Sequence, residues 1–212
     1  MLARLIAREQ SIPGSAVLDL CTGSGALAVA AARAGAGAVT AVDVSRRAVI
    51  SARLNAALNG VRVRALRGDL FEPVHGERFD AIVANPPYLP AAEGKPPERG
   101  PERAWEAGRD GRVLLDRILD GAAAHLRPGG SLFLVQSSVC GVEATCERMD
   151  AAGLDPQVAE RRRGPLGPLL AARAPELEAR GLMAAGERTE ELAIVVGRGP
   201  TARAPRQRAA RA

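Results

Sequence analysis

The sequence predicts an α/β fold with a mostly parallel sheet and helices on both faces, and two observations lead there. Seven short apolar segments alternate with stretches of helical periodicity over residues 1–197, the pattern that strand–helix crossovers impose. The first four of those segments each run into a glycine-bearing or polar stretch, which puts a cleft at the carboxyl edge of the sheet. Residues 1–197 read as one domain, long enough for a proper core. Residues 198–212 are low-complexity Arg/Ala/Pro and are expected to be a disordered tail.

Taken in order, Met1 to Gln10 reads as a short amphipathic helix with Leu2, Leu5 and Ile6 on one side. Pro13-Gly14 turns it into a strand over 16–20, followed by Cys21-Thr22-Gly23-Ser24-Gly25 and an alanine-rich helix over 26–34. Glycines between a strand and a helix let a ligand approach the backbone, and the helix-start amides face the cleft. The next strand, 38–43, ends in Asp43, placed to accept both hydroxyls of a ribose. Ser45 then caps a helix over 46–58, with Ile50, Leu54, Ala57 and Leu58 expected inward. A third strand over 61–66 leads to Gly68-Asp69-Leu70, where Asp69 reads either as an acceptor for an adenine amino group or as a plain loop acid.

The fourth strand, 79–84, is stopped by Asn85-Pro86-Pro87-Tyr88. Each X-Pro bond restricts the residue before it, so this turn is stiff. It fixes one amide and one aromatic ring in space. The Asn85 carbonyl and a proline carbonyl suit the two protons of a planar NH2 group, with the ring stacked on its face. The site therefore fits chemistry on an amide or exocyclic amine; a proline-rich turn begun by Asn is the plainer reading. Residues 89–108 follow as a long Pro-, Gly- and charge-rich loop, read as a substrate lid, in which Trp105 packs. A helix over 110–126 turns Leu115, Ile118, Leu119, Ala122 and Leu126 inward. His125 sits in its last turn, near the negative end of the helix dipole. Arg127 to Gly130 forms a turn into a strand over 131–136. A helix at 141–152, a strand at 157–162, a helix at 169–180 and a strand at 192–196 complete the domain.

Composition weighs against several classes. Aromatics are only 2%, too few for a base-stacking platform, and the core is aliphatic. The net charge of +5 is a tail property. Residues 198–212 hold five arginines and no acids, leaving 24 basic and 24 acidic side chains before them. The three cysteines, Cys21, Cys140 and Cys146, lack metal-ligand spacing, so no metal site is expected. No apolar run approaches the roughly 18 residues of a membrane span. No signal peptide is visible, so a cytoplasmic location is expected.

With these residues in place, the sequence resembles the HemK/PrmC type of class I S-adenosylmethionine-dependent methyltransferase, which methylates glutamine side chains in release factors. Asp19 to Gly25 matches the first motif of that family, Asp43 its ribose acid, Gly68-Asp69-Leu70 its adenine-side motif and Asn85 to Tyr88 its hallmark. Trp105 to Arg112 resembles a tract of the short branch known in eukaryotes and archaea. The resemblance covers about residues 14–197 and implies a Rossmann-like fold. It implies S-adenosyl-L-methionine as cofactor, held by Asp19, Cys21, Thr22, Gly23, Gly25, Asp43, Val44, Asp69, Leu70 and Asn85. Cys21 stands where the family has a glycine, a change tolerable if its backbone angles are ordinary. Relatives carry an upstream segment with an aromatic and an Asp-Thr pair lining the cofactor site, which these 212 residues do not contain. Another residue is then expected to cover the methionyl end, or cofactor affinity to be reduced.

The implied catalytic residues are Asn85 and Pro86, which accept the two N–H protons of the acceptor, and Tyr88, which walls the pocket. The implied partners are a release-factor-like protein with an exposed glutamine and a small zinc-binding activator. The alternatives are an exocyclic amine of DNA or RNA, a small amine-bearing metabolite, and a non-catalytic cofactor-binding scaffold.

Overall fold

In the computed structural model, residues 1–91, 95 and 97–201 are described. Four residues of the expected lid, 92–94 and 96, and the tail from 202 onward lie outside them. A seven-stranded sheet runs in the order β3-β2-β1-β4-β5-β7-β6. The strands are β1 (Ala16–Leu20), β2 (Ala38–Asp43), β3 (Arg64–Arg67), β4 (Phe79–Ala84), β5 (Leu126–Ser137), β6 (Asp155–Pro165) and β7 (Thr189–Arg198). The pairs from β3 through β5 are parallel, and β7 is antiparallel to both β5 and β6. The helices are α1 (Leu2–Ile6), α2 (Ala26–Arg33), α3 (Arg46–Leu58), α4 (Val113–His125), α5 (Val142–Ala151) and α6 (Pro168–Ala179). Among the described residues, no helix is long and apolar enough to cross a membrane.

Strands β1, β2 and β4 have the expected bounds, because each is an apolar run stopped by a turn-forming stretch. Their alternation feeds two cores. Leu18, Leu20 and Ile82 pack with α4 and α5 residues such as Ile118 and Met149. Val17, Ala81 and Val83 pack with α1, α2 and α3 residues such as Ile6, Ala28 and Val49. In α4, Leu115, Ile118, Leu119, Ala122 and the following Leu126 are all buried, as the periodicity indicates.

Helix α3 departs from the expected orientation. It buries Val49, Ala52 and Ala56, while Ile50, Leu54 and Leu58 are 54%, 58% and 75% exposed. The reason is a close approach that only small residues allow. A Cβ on Gly25 would lie 2.8 Å from the Ala52 Cα, so α3 meets the start of α2 through its alanine face. Strand β3 begins at Arg64 instead of Val61, because 61–63 carry the chain from the α3 terminus to the sheet edge. The turn at Arg127–Gly130 lies inside β5, where the register slips between Phe79 and Ala81. Strands β6 and β7 are longer than expected, and β7 runs on through Arg198.

A third cluster caps the carboxyl edge. Leu170, Ala174 and Leu177 of α6 pack with Leu89 and Met183, and with the partly buried Trp105. Leu89 and Ala91 are tied to the stretch before α4 by the Leu89 N–H to Trp105 carbonyl bond at 2.7 Å and the Ala91 N–H to Gly108 carbonyl bond at 2.8 Å. The Gly25–Ala52 contact makes one outcome specific. Gly25 has φ 82° and no room for a side chain, so Gly25→Ala is expected to cost roughly 2–4 kcal/mol of stability. The urea midpoint of unfolding measures it, and an unchanged midpoint would contradict the close packing.

Candidate active site

Strand β4 ends at Ala84, which lies level with Leu20 of β1 and Leu134 of β5. Strands β1 and β4 thus end level with each other, while β5 runs on to Ser137, and Asn85 emerges beside the glycine turn that follows Leu20. A cavity of about 690 Å³ opens there. Cys21, Gly23, Asp43, Val44, Asp69 and Leu70 form one side of its lining. Asn85 and Pro87 face it from β4, and residues 98–101, 103 and 104 line it from the expected lid. Seven of the candidate cofactor residues therefore converge on a single cavity.

The other three hold the turn from behind. Asp19 is fully buried. Its Oδ2 accepts from the Thr22 hydroxyl at 2.5 Å and from the Ala28 amide at 2.9 Å, in the first turn of α2. Thr22 is buried with it, and Gly25 contacts α3. From the opposite side, Asp43 Oδ2 accepts from the Gly23 amide at 2.9 Å and its Oδ1 from the Ser45 amide at 2.8 Å. The Ser45 side chain caps Ala48 at 3.4 Å, which leaves Asp43 free of that duty. Each carboxylate oxygen keeps a lone pair for a ribose hydroxyl. A Cβ on Gly23 would meet nothing within 4 Å, so a glycine there keeps the cavity open.

The backbone angles at Cys21 are not ordinary. Cys21 has φ 55° and Leu70 has φ 47°, left-handed values that non-glycine residues rarely adopt. Both flank the cavity. Burial and, next, the Asp43 charge push the Cys21 thiol well above its usual range, so it is a neutral packing group. Asp69, which lines the cavity, is ion-paired through Oδ2 to Arg117 at 2.9 Å. His125 stacks on Phe71 with ring centroids 4.3 Å apart, a packing role, and His75 is exposed.

Asn85 is exposed at the rim, Pro86 is buried and Tyr88 is half-buried. Burial, followed by the Glu190 carboxylate, raises the Tyr88 phenol, so the ring stays neutral. Residues that the motif reading passed over hold this turn. The Cys140 thiol donates to the Tyr88 carbonyl at 3.0 Å. Gly111 lies so close that a Cβ would meet that carbonyl at 2.2 Å. Arg112 braces Cys140 and Gly141 through their carbonyls at 2.5 and 3.1 Å. From α6, Arg173 donates to the Pro90 carbonyl at 2.8 Å and pairs with Glu106. Arg180 donates to the Ala91 carbonyl at 3.2 Å and to that of Arg109. The only sequence signal was the Trp105–Arg112 tract, which contains Gly111 and Arg112.

Comparisons with known proteins place the chain among methyltransferases. Residues 1–95 match the methyltransferase small domain family. A relative from Methanocaldococcus jannaschii, provisionally named a protein N5-glutamine methyltransferase, is 35% identical over 154 residues, 73% of this chain and 78% of its own. The release factor glutamine methyltransferase of Gloeobacter violaceus is 46% identical over 59% of this chain and 46% of its own. The ribosomal protein uL3 glutamine methyltransferase of Bradyrhizobium diazoefficiens is 43% identical over 64% and 43%. The chain thus spans less than half the length of these two bacterial relatives. A ribosomal protein L11 methylase from Lactobacillus delbrueckii has a similar fold, with TM-score 0.61 at 20% identity, covering 93% of this chain and 77% of that one.

Two outcomes follow from the turn. Burial raises the Asp19 carboxyl from 3.8 to about 7 in the folded protein. The folded state therefore holds a proton that the unfolded state has lost between those values, and this contribution to stability declines as pH rises through the window, by about 1.4 kcal/mol per pH unit. Asp19→Asn, which cannot ionise, should lack that slope. Melting temperatures of both proteins from pH 5 to 8 check it, and parallel curves would refute it. At Cys21, relief of the left-handed strain predicts that Cys21→Gly gains about 1 kcal/mol, while Cys21→Val loses more than that. Urea unfolding compares the two, and a more stable Val variant would overturn the assignment of strain.

Proposed function

From the membership of this chain in the HemK type of class I S-adenosylmethionine-dependent methyltransferases, we propose that it methylates a glutamine side-chain nitrogen in a protein. The observation that carries this reading is that Asn85 opens onto the same cavity as Asp43 and Leu70. An amide-reading group and an adenosine-reading group thus share one cavity. The residues present fit the cofactor. Asp43 is aimed by two backbone amides, Gly23 leaves open space, and Val44 and Leu70 offer apolar surface for a purine.

Bound S-adenosylmethionine supplies an electrophilic methyl group on a sulfonium. The chain's own task is to prepare a poor nucleophile, because the lone pair of an amide nitrogen is delocalised into its carbonyl. Asn85 Oδ1 and the Pro86 carbonyl accept the two N–H protons of the acceptor, turn its lone pair towards the methyl group and favour positive charge developing on nitrogen. Tyr88 stacks on the planar amide and keeps it from rotating. The stiff Pro86-Pro87 pair holds these groups with little reorganisation. Asp19, Thr22 and Gly25 act on the cofactor through the turn they hold.

A release-factor-like protein is the substrate this reading favours, supported by the relatives named for release factor methylation. With that substrate the reaction belongs in the cytoplasm. The reading includes a small zinc-binding activator as partner, which the short-branch tract Trp105–Arg112 supports.

The test is methyl transfer from labelled S-adenosylmethionine into a cell extract, with Asn85→Ala as control. Label should be sensitive to protease and resistant to nuclease. The variant should retain cofactor affinity while losing about 100-fold in turnover. Nuclease-sensitive label, or a fully active variant, would defeat the proposal. Repeating the assay with purified substrate, with and without the extract's small proteins, reveals any dependence on an activator.

A further inference from the structure

The charged groups around the cavity are unevenly spent. S-Adenosylmethionine carries a carboxylate at its methionyl end, and an anion in a partly enclosed site needs a cation or several N–H donors. Five arginines line the cavity, namely Arg46, Arg47, Arg67, Arg99 and Arg103. Arg67 donates to the Val44 carbonyl at 3.3 Å. Arg46 and Arg47 open α3 just beyond Asp43, at the end assigned to the ribose. Arg99 and Arg103 stand on the segment that follows the Asn85 turn; among the described residues none of Arg46, Arg47, Arg99 and Arg103 forms an ion pair, so the two pairs differ in their place on the cavity wall.

Their backbone is set by local structure. Gly100, with φ 92°, and Pro101 lead from Arg99 into a short 3-10 helix, Pro101–Ala104, which carries the half-buried Arg103. The segment is fixed just beyond that helix. The Trp105 carbonyl accepts from the Leu89 amide and the Glu106 carboxylate pairs with Arg173 of α6. Two arginines thus line the cavity from a segment whose backbone is anchored at Trp105 and Glu106, and the planar fork of a guanidinium matches a carboxylate in bidentate geometry.

We propose that Arg99 and Arg103 hold the carboxylate of the methionyl end of the cofactor. The assignment rests on S-adenosylmethionine as the cofactor and is independent of which acceptor is methylated. It makes these two residues selective for ligands that carry the amino-acid end. Adenosine binding remains with Asp43 and Leu70.

Calorimetric titration with two ligands separates these contributions. S-Adenosylhomocysteine keeps the amino-acid end, and 5′-methylthioadenosine has the same thioadenosine without it. For the double variant Arg99→Ala/Arg103→Ala, affinity for S-adenosylhomocysteine should fall at least about 30-fold, while that for methylthioadenosine stays within about twofold. Retained methylthioadenosine binding also shows that the variant is folded, and Arg103→Lys should recover part of the loss. The proposal is overturned if S-adenosylhomocysteine binds the double variant as it binds the parent, or if both ligands weaken equally. A selective loss in Arg46→Ala/Arg47→Ala, absent from the lid variant, would move the carboxylate to the start of α3. If glutamine transfer itself fails, these titrations still decide the point.

Discussion

The buried carboxyl of Asp19 is the interaction on which the rest of the site depends. One of its oxygens holds both the Thr22 hydroxyl and the Ala28 amide, and so ties together the end of β1, the glycine turn and the first turn of α2. Helix α2 starts at Gly25, which has no side chain to cap it, so Asp19 satisfies an amide that would otherwise be left unpaired. A fully buried carboxyl prefers its protonated form, and the rise of its pKa to about 7 is the energetic trace of that burial. Asp43 holds the same turn from outside through the Gly23 amide. The turn is clamped by two acids, one dry and one facing the cavity. Only the outer one lines the cavity, where the proposed cofactor's ribose would meet it.

The acceptor side is built on the same plan from more distant parts of the chain. The turn after β4 is stiff in itself, yet its carbonyl at Tyr88 needs a donor and receives one from Cys140, 52 residues away. Arg112 then fixes Cys140, and Gly111 lets the two segments touch. On the other flank, α6 leaves the sheet between β6 and β7 and returns Arg173 and Arg180 to the carbonyls of Pro90 and Ala91. In the role proposed for the Asn85 turn, accepting two protons at fixed positions, support on both flanks matters because small misplacements at a reacting centre are costly.

Much of this plan was legible in the sequence, and the rest was not for physical reasons. Strands 16–20, 38–43 and 79–84 could be bounded because local apolar content and turn residues decide them. The inward face of α3 could not. Ile50, Leu54 and Leu58 are its largest apolar residues, but the contact between Gly25 and Ala52 rotates them outward. That contact joins residues 27 apart, and no periodicity encodes it. The left-handed angles at Cys21 and Leu70 belong to two turns, after β1 and after β3, whose shape is set by their surroundings, so residue type alone misleads there. The bonds of Arg173 and Arg180 to Pro90 and Ala91 span 83 and 89 residues, and become visible only once the β6–β7 connection is placed over the rim.

The division between residues that line the cavity and residues that stand behind it explains why the first motif is longer than any contact with a ligand requires. Backbone at Cys21 and Gly23 faces the cavity, so their neighbours' side chains are free to hold the turn in shape. Asp19 and Thr22 do so by hydrogen bonds, and Gly25 by letting α3 approach. On this logic a side chain at position 21 is permitted if it has somewhere to go. The Cys21 thiol packs against the core beside Leu20 and Leu70. That burial offsets part of the strain of its left-handed backbone, which for an ordinary residue is about 1–2 kcal/mol. A larger or branched side chain would lose that compensation and enter the space that Gly23 and Asp43 keep open.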